Sequence, residues 1–334
     1  MSDRSTHSTL SKSFTTYAWI FLFYMLLVIL FGAWVRITGS GAGCGANWPD
    51  CHGEMIPADL LQEYETLIEY THRVTAGILG PMVIALLVWA WKRFGNHRVF
   101  WATVVTAVFI VIESLIGAGL VLAELVADDD SASRAIVISI HLVNTLALTG
   151  SAALIAWWST GKAAPSWTRA STWTWLLIAG LLGLILTSMS GAVTALGDTL
   201  FPTDPTIGEG LFASVRDDLS ATNHFLVRLR IFHPIIAIGV AAYLMALTWV
   251  LRLKTDASPL VERWANLTLW FVLAQTIIGV VNVVLAAPGW IQLLHLFAAQ
   301  LVWIAALFWT LSTLMPADSP RGLFPYASTS RHDH

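Results

Sequence analysis

Charge is scarce in this chain. Asp, Glu, Lys and Arg make up 12% of its 334 residues, while 56% are hydrophobic. An ordinary soluble domain carries about 25% charged residues, so this balance excludes one and leaves a polytopic membrane protein. Cysteine is scarcer still: Cys44 and Cys51 are the only two, too few for a four-thiolate iron–sulfur centre. No phosphate-cradling glycine loop and no dinucleotide fingerprint occurs, so electrons for any redox chemistry must come from a separate donor. Nothing in the pattern suggests nucleic acid as a partner. A cleavable leader pattern is missing too, and the first apolar run is long enough to span a bilayer and stay there.

What the chain does have is eight apolar runs of spanning length, at about 17–35, 71–91, 100–122, 135–158, 172–195, 225–251, 264–286 and 290–314. Lipid offers the backbone no hydrogen-bond partner, so each is expected to be helical. Lys and Arg crowd the segments on the side of both termini, among them Lys92, Arg93, Arg98, Lys162 and Arg252. The opposite loops hold only Arg36, Arg134 and Arg216. That bias predicts cytoplasmic N- and C-termini in a plasma membrane. Many tryptophans, such as Trp91, Trp158, Trp249 and Trp290, sit toward run ends, as interfacial anchors do.

The runs repeat. In run three "IESLIGAGLVL" matches "LAQTIIGVVNVVL" in run seven, placing Glu113 opposite Gln275 and Gly117 opposite Gly279. "SGAGC" after run one has a weaker echo in "SGAVTALG" at the end of run five. The expected fold is therefore all-α, with two tandem four-helix bundles related by a pseudo-twofold axis along the membrane normal. The divisions expected are a cytoplasmic tail (1–16), an N-terminal half (17–158) with an external loop (36–70), a linker (159–171), a C-terminal half (172–314) and a second cytoplasmic tail (315–334).

Four histidines lie inside the runs: His72, His141, His233 and His295. An ionisable residue in the membrane core is costly and usually functional. His72 matches His233, and His141 matches His295, each within the first turns of an even-numbered helix. All four should then lie at one depth, toward the outer face. Two histidines on neighbouring helices can clamp a haem iron, so the pattern reads as two haem sites. Structural, hydrogen-bonded histidines are the alternative. His7, His52, His97, His332 and His334 fall in tails or loops. His224, at a helix entrance, competes with His233 as ligand, and Pro234 is expected to kink helix six.

Glu69 stands three residues before His72, on the same helical face. An acid there could move protons or stabilise developing charge at a haem edge, or simply meet Arg73. The repeat puts Arg230 where Glu69 stands, so Arg228 and Arg230 are candidates for haem propionates. An oxidising outer compartment would let Cys44 and Cys51 pair; two free thiols are the alternative. The acidic run 128–130 reads as solvated loop.

The segment "GAWVRITGSGAGCGANWPDCHGEMIP" (32–57), followed by "EYTHR" (69–73), resembles the haem A synthase family in its Gly-rich loop, Cys pair with Trp-Pro between, and Glu-x-x-His-Arg. The resemblance runs through all eight helices and the four histidines. It implies oxidation of a methyl group of haem O to a formyl group by two successive hydroxylations, with the hydrate losing water. It also implies a permanent haem b. On this reading His72 and His141 hold the iron of the substrate haem, with Glu69 catalytic and Arg73 among the cofactor-binding residues. His233 and His295 hold the haem b iron. A partnership with the haem O synthase is implied as well, and the oligomeric state, including a homo-oligomer, is left open. Two histidines fill both axial positions, so oxygenation at a doubly ligated iron is awkward: either one ligand leaves, or oxidation proceeds by electron removal from the haem itself. Glu113 departs from the Gln that the repeat and the family favour; a neutral, hydrogen-bonded structural role is expected, with a place in a proton path as the alternative. The competing reading is a non-catalytic dihaem b-type cytochrome, which explains the histidines but not Glu69 or the Cys loop. A haem O synthase is disfavoured because the chain has no paired Asp-rich motifs.

Overall fold

The structure is a computed structural model that describes residues 2–58, 60–202, 220, 222–253 and 257–316, with side chains from Lys12 onward. Arg216, the side chain of His7, His332, His334, nearly all of the C-terminal tail and most of the long loop before helix six lie outside the described residues.

Among the described residues the regular elements are helices: α1 (Ser2–Ile37), α2 (Tyr64–Phe94), α3 (Arg98–Leu122), α4 (Ala132–Ser159), α5 (Thr172–Leu200), α6 (Phe225–Leu229), α7 (Phe232–Arg252), α8 (Pro259–Val284) and α9 (Gly289–Ser312). They supply eight helices long and apolar enough to cross a membrane, α6 and α7 together forming one of them, Phe225–Arg252. This is an all-α, multi-pass membrane protein.

Several boundaries differ from the sequence reading: α1 begins at Ser2 rather than near 17, α5 runs to Leu200 rather than 195, and α8 begins at Pro259 rather than near 264; two further differences have clear physical reasons. α2 begins at Tyr64 rather than near 71. Its first turns carry Glu65 and Glu69, which end an apolar run, yet Thr66, Ile68 and Glu69 are buried under the first loop. The sixth helix breaks between α6 and α7 at Arg230 and Ile231. Pro234 has no N–H for the carbonyl four residues back, that of Arg230, and its ring crowds that position. Serine caps the start of α4 and of α8. The Ser131 hydroxyl accepts from Arg134 N at 3.1 Å, and Ser258 caps α8 ahead of Pro259 in the first turn.

Each half closes into a ring of four. In the first, α1 packs on α2, α2 on α3, α3 on α4 and α4 on α1; in the second, α5, α7, α8 and α9 do the same. The halves join through α4 against α5, α1 against α9, and α4 against α9. The first two contacts exchange under a twofold operation and the third lies on its axis, as a tandem repeat requires.

In lipid, helices associate through close packing and hydrogen bonds rather than apolar burial. The α5–α7 seam shows the first device: a Cβ on Gly180 would stand 2.8 Å from Leu244 Cδ2, and one on Gly183 would stand 3.0 Å from Val240 Cγ2. Across the halves, Trp303 Nε1 donates to the Leu146 carbonyl at 2.7 Å. Trp157, Trp264 and Phe308 stack nearby, with ring centroids 4.3 Å and 4.7 Å from Phe308.

Candidate functional site

The four histidines take repeated surroundings. α2 turns His72 toward α1, where a Cβ on Gly32 would come within 3.1 Å of His72 Cε1. α7 turns His233 toward α5, where a Cβ on Gly191 would come within 3.0 Å of His233 Cε1. Gly32-Ala33 and Gly191-Ala192 are therefore the equivalent pairs, which replaces the "SGAGC" echo: that motif lies beyond α1, in the loop. The residue before each glycine also touches the histidine. Phe31 meets His72 edge-on at 5.6 Å, and Ser190 Oγ lies 3.1 Å from His233 Nδ1.

The second pair follows the repeat as read. Glu113 Oε1 stands 3.4 Å from His141 Nε2, and Gln275 Nε2 stands 3.2 Å from His295 Nε2. A Cβ on Gly279 would come within 3.0 Å of His295 Cε1. In the C-terminal half the rings of His233 and His295 face each other at 6.3 Å between centroids, 89° apart in plane.

These residues fit a haem held by two histidines. The Nδ1 atoms of His72, His141 and His295 are buried with no hydrogen-bond partner, and such atoms are rare unless a ligand uses the ring. A metal–imidazole bond is about 2 Å, so two rings sharing one ion have nitrogens about 4 Å apart and centroids about 6 Å apart, which the His233–His295 spacing matches. Glycine at the ring edges keeps the imidazoles from being displaced. Among the described residues no group of three or more His, Cys, Asp or Glu could hold a metal ion. A porphyrin iron asks for only two protein ligands.

Cys44 and Cys51 form a disulfide and are both buried. The loop they close is clamped to α2. The Thr66 hydroxyl donates to the Gly43 carbonyl at 2.6 Å, and Cys44 N donates to Glu69 Oε2 at 2.8 Å. Arg73 donates to Glu69 Oε1 through Nε (3.1 Å) and Nη2 (2.5 Å), and through Nη1 to the carbonyls of Asn47 (2.7 Å) and Asp50 (2.5 Å). Glu69 thus joins the disulfide loop to the helix that carries His72. Arg73 spends its donors on that loop rather than presenting them to a propionate.

The other candidate cations divide. Arg230 pairs with Asp198 at 3.6 Å and donates to the Phe201 carbonyl; Arg228 is exposed on α6. His224 caps α6 through Leu226 N and lies 3.4 Å from Asp130, stacked on Phe201. Its ring is occupied in the outer loops, and the histidine that faces His295 is His233. The acidic run is anchored rather than free: the Ser131 hydroxyl donates to Asp129, and Arg134 donates to the Asp129 carbonyl.

Two arginines read as loop charges are tied into helix ends, one buried and one half-buried. Arg134 lies in the first turn of α4, 4% exposed. Arg36, in the last turn of α1, donates to Ala195 O (2.5 Å), to the Thr199 hydroxyl and to Gln292 Oε1 (2.8 Å), joining the halves. A count of charges per loop does not reveal the placement of Arg36, because its partners lie 159 to 256 residues away in sequence.

Over 299 residues the chain is 44% identical to a protein of Thermus thermophilus named Protoheme IX farnesyltransferase, covering 89% of this chain but 48% of the relative. It is 48% identical over 98 residues to the Heme A synthase of Alkalihalophilus pseudofirmus, and 47% identical over 98 residues to that of Halalkalibacterium halodurans. Each of these two matches covers 29% of this chain and 32% of the relative. The chain thus spans about half the length of its Thermus relative and a smaller part of the others. The model of the COX15-CtaA family, described as cytochrome oxidase assembly protein, matches residues 15–307, and this chain belongs to that family.

Proposed function

We propose that this chain is a haem A synthase, a membrane oxidoreductase that converts the methyl group of haem O to a formyl group for the haem A of terminal oxidases. The observation that carries the reading is the pair of repeated two-histidine sites, with buried, unpartnered ring nitrogens, in a chain of this family.

The N-terminal half takes haem O between His72 and His141 and releases haem A. The C-terminal half keeps a haem b between His233 and His295, which supplies one-electron redox capacity when bound. Each hydroxylation places one oxygen atom of dioxygen on the ring methyl, a two-electron oxidation, while the other oxygen atom takes two electrons from the separate donor and two protons and leaves as water; the second hydroxylation gives a hydrate that loses a further water. Glu69 receives the proton shed at the ring edge, and its carboxylate is fixed for that task by Arg73 and the Cys44 amide. Arg230 and Arg228, on the outer side, are the cations nearest the C-terminal site in sequence. Both termini face the cytoplasm and the haems lie toward the outer face. A separate donor supplies electrons, and haem O synthase is the natural supplier of substrate. The Thermus relatives fit this arrangement. Their name refers to chains of which this one covers 48%, and this sequence has no paired Asp-rich motifs, so prenyl transfer is not carried over to it.

The test is mass analysis of haem extracted from the full chain purified from cells that supply haem O. Haem A or its hydroxymethyl precursor, together with haem B, is expected. Haem B alone, at two per chain, would overturn the synthase reading in favour of an electron-transfer cytochrome.

A further inference from the structure

The two sites share a plan but differ at one half-buried contact. On α3 a carboxylate, Glu113, stands against His141; on α8 an amide, Gln275, stands against His295. The repeat aligns these positions, and the structure puts each one at the ring Nε2 of the equivalent histidine. Glu113 is also built in. Asn144 Nδ2 donates to Oε2 at 2.5 Å, the Thr145 hydroxyl lies 2.5 Å from Oε1, and Asn144 Nδ2 also reaches the Phe109 carbonyl at 3.0 Å. The equivalents of Asn144 and Thr145 in the other half are Ala298 and Ala299, which carry no such donors. The carboxylate and its two supporting side chains therefore form a set confined to the N-terminal half.

We propose that Glu113, held by Asn144 and Thr145, is the positioning residue that gives the two iron sites different reduction potentials, lowering that of the N-terminal site below that of the C-terminal site. A carboxylate against a ligating imidazole fixes the ring's orientation and raises its basicity, and negative charge near an iron favours the oxidised metal. An amide at the same place orients the ring without the charge. One electron shared between the two sites then rests on the C-terminal iron, leaving the N-terminal one oxidised, and no proton or bond is exchanged in that transfer. This deepens the reading of two haem sites and rests on it.

The experiment is a redox titration, followed optically, of the full-length protein purified with its haems, in the wild type, Glu113→Gln and Gln275→Glu. Each replacement is nearly isosteric and installs the residue used by the other half. The N-terminal component is identified by its loss in His72→Ala. Glu113→Gln is expected to shift the oxidised-to-reduced ratio of the N-terminal haem at least tenfold toward reduced, about 59 mV for one electron. Gln275→Glu is expected to shift the C-terminal haem the other way. Asn144→Ala, which leaves the carboxylate but removes its support, is expected to broaden or shift the N-terminal component alone. Two haems bound with neither potential moved would overturn the role of Glu113 and leave the haem sites standing. A wild-type chain without a second haem would overturn the two-site reading itself, and the proposal with it.

Discussion

Gly43 is where the first external loop meets α2 backbone to backbone. A Cβ there would stand 2.4 Å from both the carbonyl carbon and the oxygen of Glu65, and 2.6 Å from Thr66 N. The backbone at Gly43 has φ −63° and ψ −19°, which alanine adopts freely, so the effect of Gly43→Ala is purely steric. Two responses are available. Local backbone shifts that absorb the methyl cost about 1–3 kcal/mol. Lifting the loop instead gives up the Thr66–Gly43 bond, about 1 kcal/mol, and the charge-assisted Cys44–Glu69 bond, about 2 kcal/mol. The two routes are nearly equal, so the expected loss is about 2–3 kcal/mol, roughly 30- to 150-fold in the loop-opening equilibrium. Hydrogen exchange of a peptide containing Cys44, in the detergent-solubilised full chain, reads that equilibrium directly. Gly77→Ala is the control: its Cβ would meet nothing within 4 Å in mid-helix, so no loosening is expected. Loop exchange at the wild-type rate in Gly43→Ala would refute the clamp.

Three further outcomes are expected. Glu69→Gln should stop haem A formation while leaving the absorbance of the C-terminal haem b unchanged; normal haem A yield would remove Glu69 from the chemistry. Gly191→Ala places a methyl 3.0 Å from His233 Cε1 and should release the C-terminal haem, whereas Gly32→Ala should affect the N-terminal one; haem content per chain and identity of the retained haem distinguish them, and full occupancy in both variants would contradict the ring-edge contacts. Replacing Cys44 and Cys51 together by Ala opens a loop whose ends are 7 residues apart, about 2.5 kcal/mol by chain entropy, so loop amides should exchange roughly 60-fold faster. A change under about tenfold would mean that Glu69 and Arg73 hold the loop without the bridge.

The repeat was legible where its signal is local. Glu113 and Gln275 aligned through the Ile-Gly steps that follow them, and both stand against the helix-four histidine of their half. The first-helix register was not legible: "SGAGC" is the more conspicuous match to "SGAV", yet Gly32-Ala33 is the structural one. Two small residues carry little information until a histidine is seen filling the space beside them. Arg36 shows the same limit. In sequence it is a cation just past an apolar run; its place between the halves depends on Thr199 and Gln292, far along the chain.

The sequence alone determined that the chain crosses a membrane eight times, because length and apolarity set that whatever the helices pack against. It also singled out four histidines, because a polar ring in an apolar run stands out at short range. The tertiary structure decided which nitrogens are left open, which side chains support each ring, and that Arg73 and Glu69 serve the disulfide loop. Those depend on contacts between helices separated by tens to hundreds of residues, which packing fixes and local pattern does not encode.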